Sequence, residues 1–169
     1  CALAFLLFSI VMFAGALRDS SPLRTRIMAV RRQLSIMACI FAVGHIAYYA
    51  ASYLPRLASL PSFSLVCAFA IALALVVLMA VLFATSLLAV KQRMKASGWK
   101  SIQRLAYPFY VLIYVHLALF LAPSALAGKE TAVVSLTVYT VVMAAYVLCR
   151  TRKALQRKAK AAAMPASSA

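Results

Sequence analysis

Apolar residues run along this chain in long blocks that short polar stretches interrupt. The blocks cover roughly 1–17, 33–54, 62–90, 105–122 and 131–149. Between them stand "RDSSPLRTRIMAVRR", "PRLASLP", "KQRMKASGWKSIQR" and "PSALAGKE", and "RTRKALQRKAKAAAMPASSA" follows the last. An uninterrupted apolar run of about 18 residues or more is long enough to cross a bilayer as a helix. Pro55, Pro61 and Pro123 stand at block ends, where a missing N–H and a ring clash are expected to stop helices. The pattern therefore predicts an all-α, polytopic membrane helix bundle of about five transmembrane helices. The first block lacks the basic leader and small-residue cleavage pattern of a signal segment, so it reads as a span, with a further N-terminal helix before Cys1 left open. A lipid anchor on Cys1 has little support.

Composition agrees, and charge then orients the blocks. Of 169 residues, 66% are hydrophobic and 12% charged, against about half and a quarter in a soluble domain. The net charge of +16 resembles a nucleic-acid signal until its distribution is followed. The first long loop carries Arg18, Arg24, Arg26, Arg31 and Arg32, and the third carries Lys91, Arg93, Lys95, Lys100 and Arg104. The tail carries Arg150, Arg152, Lys153, Arg157, Lys158 and Lys160, while the two short loops hold only Arg56 and Lys129. Sixteen against two is the asymmetry that keeps basic loops in the cytoplasm. The expected location is the cytoplasmic membrane with a cytoplasmic C-terminus, and no nucleic-acid partner is expected. Residues 1–150 read as the membrane domain and 151–169 as a basic tail. That tail can continue the last helix into the headgroup zone, where anionic lipid attracts it, before a low-complexity end expected to be disordered.

The inventory excludes several chemistries. Asp19 and Glu130 are the only acids, both in loops, so no catalytic carboxylate pair exists. Cys1, Cys39, Cys67 and Cys149 show no ligand spacing, and a thiol within an apolar span behaves as a small hydrophobe. No Gly-rich phosphate loop is present, so the chain cannot draw on a nicotinamide nucleotide by itself.

Both histidines stand inside apolar blocks, in "FAVGHIAYYA" and "YPFYVLIYVHLALF". A polar group in hydrocarbon costs several kcal/mol unless it finds a partner, and for one histidine a hydrogen bond to a neighbouring helix would suffice. The pair says more. The second and fourth spans run the same way, with His45 13 residues beyond Arg32 and His116 12 beyond Arg104. At ~1.5 Å per residue both lie roughly 18–20 Å above the basic line. Two level imidazoles on separate helices suit the axial positions of a haem iron, and bundle cores are where such sites are built. Ala38, Ala42, Tyr49 and Ser52 fall near the His45 face by helical spacing; Phe109, Leu112, Ile113, Leu119 and Phe120 flank His116.

The flanking residues carry a resemblance. "RRQLSIMACIFAVGHIAYY" is similar to the R-R-x-L-G … L-H-x-x-x-Y span of the ferric reductase-like transmembrane domain family. "TSLLAVKQRMKASGWKSIQRLAYPFYVLIYVH" resembles its T-S … W-K-x-L-H-R-L-x-Y … H segment. Within that family the nearest resemblance is to the haem-binding membrane subunit of periplasmic methionine-sulfoxide reductase systems. The resemblance implies that His45 and His116 are axial ligands of haem b, and that Thr85, Ser86, Trp99, Arg104 and Tyr107 occupy motif positions. Two positions depart from the pattern. Ser35 replaces a glycine, and Gln103 replaces a histidine; since an amide is a poor iron ligand, one haem is expected rather than two.

Residues and resemblance together predict an electron-transfer subunit rather than a self-sufficient enzyme. Electrons would come from a membrane quinol, a flavin or a separate reductase, with FMN an additional cofactor in the family. They would leave through the haem to an extracytoplasmic oxidoreductase. The alternative is a structural membrane anchor that has lost its cofactor, with which Gln103 is also compatible. A small transporter is the weakest reading, because the spans hold no ionisable pathway residues besides the histidines.

Overall fold

The computed structural model describes residues 2–59 and 62–163, and every regular element among them is helical. Cys1, Leu60, Pro61 and the last six residues lie outside the described part, and with them the lipid-anchor and terminal-disorder expectations. The elements are α1 (Ala2–Ala16), α2 (Pro22–Ala29), α3 (Arg31–Ser59), α4 (Phe63–Ser86), α5 (Leu88–Arg93), α6 (Ala96–Gln103), α7 (Ala106–Leu126) and α8 (Glu130–Ala163). Four stretches, Arg31–Pro55, Phe63–Ser86, Ala96–Leu126 and Glu130–Ala159, are long and apolar enough to cross a membrane. The fifth apolar helix, α1, is shorter at 15 residues. The chain is a multi-pass membrane protein.

The five apolar helices close into a ring. Each packs on the next in the order α1, α3, α4, α7, α8 and back to α1. Chain direction alternates around most of this ring, while α3 and α7 run parallel and face one another across it. The interior on the α1, α7 and α8 side is filled by Phe5, Met12, Tyr110, Met143 and Tyr146. Phe5 stacks on Tyr110 at 5.8 Å, and Tyr110 meets Tyr146 edge-on at 5.0 Å. Tyr110 is buried, and its hydroxyl meets the Ser9 hydroxyl at 2.7 Å, a partner such a group needs in hydrocarbon.

Two of the prolines do not stop helices. Pro55 lies inside α3, which continues to Ser59, and Pro123 lies inside α7. A proline at 123 cannot donate to the carbonyl four residues earlier, that of Leu119. The Ser64 hydroxyl of α4 donates to that carbonyl instead, at 2.7 Å, so α7 runs on for another turn. It ends at Gly128, whose φ of 77° is open to glycine without steric cost. Gly128 N–H donates to Ala125 and Lys129 N–H to Ser124, at 3.0 and 3.1 Å, the paired bonds of a Schellman turn.

At the far end of the bundle the polar loops are drawn in. α2 starts on Pro22, α5 and α6 are short, and α8 continues without a break past residue 150 to Ala163. At ~1.5 Å per residue a helix of that length exceeds the ~30 Å hydrocarbon thickness, so its basic last third projects beyond the apolar zone. Asp19, after α1, accepts from Lys153 at 3.1 Å and Arg157 at 3.0 Å, and Arg24 stands 3.4 Å away. Lys153 is buried, and its ammonium also donates to the Gly15 carbonyl at 3.0 Å and to that of Leu17. These carbonyls end α1 and have no intrahelical donor.

Candidate cofactor site between two histidines

α4 sets the position of His116. Its Ala68 carbonyl lies 3.1 Å from His116 Nδ1, one helical turn from the Ser64–Leu119 bond. A carbonyl only accepts, so Nδ1 carries the proton and donates. In a neutral imidazole that leaves Nε2 with a free lone pair. The neighbouring-helix hydrogen bond expected of an ordinary buried histidine is therefore present, yet it uses one nitrogen and leaves the other free to accept a bond. Histidines that bind metals are commonly oriented this way.

His45 on α3 is different. Its Nδ1 is buried and has no hydrogen-bond partner. Both rings border the same cleft, which α1 and α4 wall on the two sides. The cleft has a wider and a narrower part that share His45, Ile46, Ala72, His116 and Leu117. The wider part, about 600 Å³, opens toward the α7–α8 turn and reaches Ser124, Lys129, Thr131 and Ser135. The narrower part, about 80 Å³, runs the other way between Phe5, Phe8, Leu75, Val76, Met79 and Phe109. Aromatic rings link the two walls. His45 lies 4.5 Å from Tyr49, Tyr49 lies 5.8 Å from Tyr53, Tyr53 lies 5.3 Å from Phe120, and Phe120 lies 5.0 Å from His116.

The structure thus brings His45 and His116 to one cleft, on two helices that run parallel. Their expected surroundings are met in part. Ala42, Tyr49, Phe109, Ile113 and Phe120 line the cleft. Ala38 is buried against neighbouring helices, and the Ser52 hydroxyl turns back to the Tyr48 carbonyl at 3.4 Å. Leu119 meets α4 through its carbonyl rather than the cleft. Helical spacing gave the right face of α3, but it could not say how much of that face α1 covers. The sequence reading missed Ala68, because a backbone acceptor leaves no residue-type signal, and Lys129, because it sits in a turn.

The other motif positions gather at the basic end. Trp99 Nε1 donates to the Thr85 carbonyl at 3.0 Å, and Gln103 Nε2 donates to Thr85 Oγ1 at 3.1 Å. Thr85 Oγ1 in turn donates to Val81 at 2.8 Å. These bonds fold α6 back onto the end of α4. Tyr107 supports the Arg150 guanidinium, which lies 4.6 Å from its ring and also bonds its hydroxyl. A small gap of about 50 Å³ here is bordered by Arg31, Ser35, Ser86 and Gln103, and its amide is already committed to Thr85.

Comparison with known proteins follows these features. The chain is 42% identical over 161 residues to an uncharacterized protein of Treponema pallidum (strain Nichols), a match covering 94% of this chain and 44% of the relative. It therefore spans less than half the length of that relative. No solved structure matches it significantly. The model of the ferric reductase like transmembrane component matches residues 1–114, through His45 and up to two residues before His116. With two thirds of its length matched, the chain belongs to the ferric reductase-like transmembrane component family.

Proposed function

We propose that this chain is a b-type cytochrome subunit that passes electrons across part of the membrane through one haem held by His45 and His116. The observation that carries this reading is the pairing of imidazoles on opposite walls of one cleft. One presents a free Nε2 because Ala68 holds its Nδ1, and the other has a buried nitrogen without a partner. An unpartnered polar nitrogen in an apolar interior is costly, and a bond from that nitrogen to a bound iron would remove the cost. When bound, haem supplies a one-electron ferric–ferrous couple. The chain's own residues hold the ligand rings, and the aliphatic and aromatic walls exclude water.

One haem rather than two fits Gln103, whose amide bonds Thr85 and stands in place of the histidine of the family pattern it resembles. The basic end faces the cytoplasm on the positive-inside rule, which places the wide part of the cleft toward the extracytoplasmic face. Electrons then enter from a membrane quinol, a flavin or a separate reductase and leave to an extracytoplasmic oxidoreductase. The resemblance of the 31–116 segment points to a partner of the periplasmic methionine-sulfoxide reductase type. The rival reading, a structural anchor without cofactor, is favoured by the satisfied Nδ1 of His116 and opposed by the orphaned Nδ1 of His45.

The test is the reduced-minus-oxidised visible spectrum of the purified chain, with its haem-to-protein ratio. A ratio near one, abolished by either His45→Ala or His116→Ala in protein that still inserts, is the expected result. A colourless wild-type chain after haem-sufficient expression would favour the anchor, and a ratio near two would overturn the reading of Gln103. Orientation is checked separately by single cysteines in a thiol-free background. An impermeant reagent from outside should label position 129 and spare 158.

A further inference from the structure

The two parts of the histidine cleft differ chemically in a way that haem ligation does not require. The narrow part is walled by Phe5, Phe8, Leu75, Val76, Met79 and Phe109, none of which can donate a hydrogen bond from its side chain. The wide part ends on a cation and three hydroxyls: Lys129, Ser124, Thr131 and Ser135. Haem b is itself two-faced, with two carboxylates on one edge and hydrocarbon substituents on the opposite edge. A carboxylate pushed among those phenyl and aliphatic groups would be charged and unpaired, which low-dielectric surroundings penalise severely. Placed the other way it meets donors.

We infer that Lys129 is the carboxylate-binding residue of this site, and that its ammonium positions the bound haem with its acidic edge toward the α7–α8 turn. This rests on the haem reading above. Three features of Lys129 suit the role. Its backbone is held by the Schellman turn at Gly128, through its N–H to the Ser124 carbonyl at 3.1 Å, so the side chain starts from a defined point at the cleft mouth. Its ammonium has no ion-pair or hydrogen-bond partner among the described residues. The only acid beside it, Glu130, opens α8 and makes no ion pair with it. Lys129 is also one of only two basic residues outside the three basic segments, so its charge is not part of the positive-inside pattern.

The experiment is a chemical double-mutant cycle on the detergent-purified chain. Wild type and Lys129→Gln are each loaded with haem b or with its dimethyl ester, and the rate of haem transfer to apomyoglobin is followed. One charge-assisted hydrogen bond lost should speed release of haem b from Lys129→Gln roughly tenfold. With the ester, wild type should release about as fast as that variant, and Lys129→Gln should add nothing. Lys129→Arg should restore slow release of haem b. The midpoint potential of Lys129→Gln should fall, since removal of a nearby positive charge favours the ferric state. Equal acceleration with both pigments, or failure of arginine to rescue, would overturn the assignment while leaving the bis-histidine site intact. Failure of the wild-type chain to take up either pigment would overturn the haem reading, and this inference with it.

Discussion

The two ends of this bundle are built by opposite rules. At the basic end, side chains cross-link elements far apart in sequence: Asp19 to Lys153 and Arg157, Arg150 to Tyr107, Thr85 to Trp99 and Gln103. At the other end, α3 and α7 are held apart by α1 and α4, and an aromatic-walled cleft remains between them. Polar clasps can operate where headgroups and water lower the cost of charge. Deep in the bundle, where every polar group needs a partner, only a few single bonds fix the helices, and two of them, Ser64 to Leu119 and His116 to Ala68, align α7 on α4. The lesson is a division of labour. One end provides rigidity, and the other leaves a cleft open between the helices.

The largest expected effect comes from filling the proposed haem site without touching either histidine. Ala72 borders both parts of the cleft, so Ala72→Phe should abolish the haem band while membrane insertion and thermal stability are retained. A normal haem content in this variant would mean that the cofactor sits elsewhere. Next comes the clasp. Lys153→Met leaves the Gly15 and Leu17 carbonyls and Asp19 without their buried donor. Such a loss is worth about 1–3 kcal/mol and should lower the unfolding midpoint while leaving the haem spectrum unchanged. A spectral change in Lys153→Met would show that the two ends are coupled.

A smaller effect is expected at Thr85. Thr85→Val removes the acceptor of Gln103 Nε2 in a partly exposed setting, which should cost about 1 kcal/mol, again without spectral change. The smallest effect is a pH dependence. Hydrogen bonds from Arg157, then from Lys153, together with their charges, hold the Asp19 carboxyl down at about 2 from its ordinary 3.8. A group lowered on folding contributes stability above its unfolded value and loses it as protonation proceeds. The clasp should therefore be fully effective above pH ~4 and weaken between pH ~4 and ~2. Acid unfolding curves of wild type and Asp19→Asn should differ above that window and converge below it. Coincident curves throughout would mean that Asp19 does not stabilise the fold.

Much of the architecture was legible in the sequence because a bilayer permits so few solutions. Long apolar blocks had to be helices, and the basic residues marked one end. The level placement of His45 and His116 followed from counting residues at a constant rise. The proline expectation failed for a reason outside local sequence. Pro123 deprives Leu119 of its helical donor, and the hydroxyl of Ser64, 55 residues away, supplies one in its place. The basic tail was legible as a helical continuation, and α8 does continue. Its inward hold on Asp19 was not, because charges read along a chain carry no record of which loop lies beneath them.

What the sequence determined by itself was the class of the molecule, which end of the bundle is basic, and the nearly equal count of residues from that end to each histidine. All three depend on composition and on a fixed helical rise, which are local quantities. Tertiary structure alone decided that the two imidazoles share a cleft, that Ala68 assigns the proton of His116, and that Lys129 lies at the mouth. Each of these depends on which helix neighbours which and on its rotation about its own axis. Lateral order in a bundle is set by packing among side chains distant in sequence, and apolar faces that look alike along the chain become distinct only once they meet.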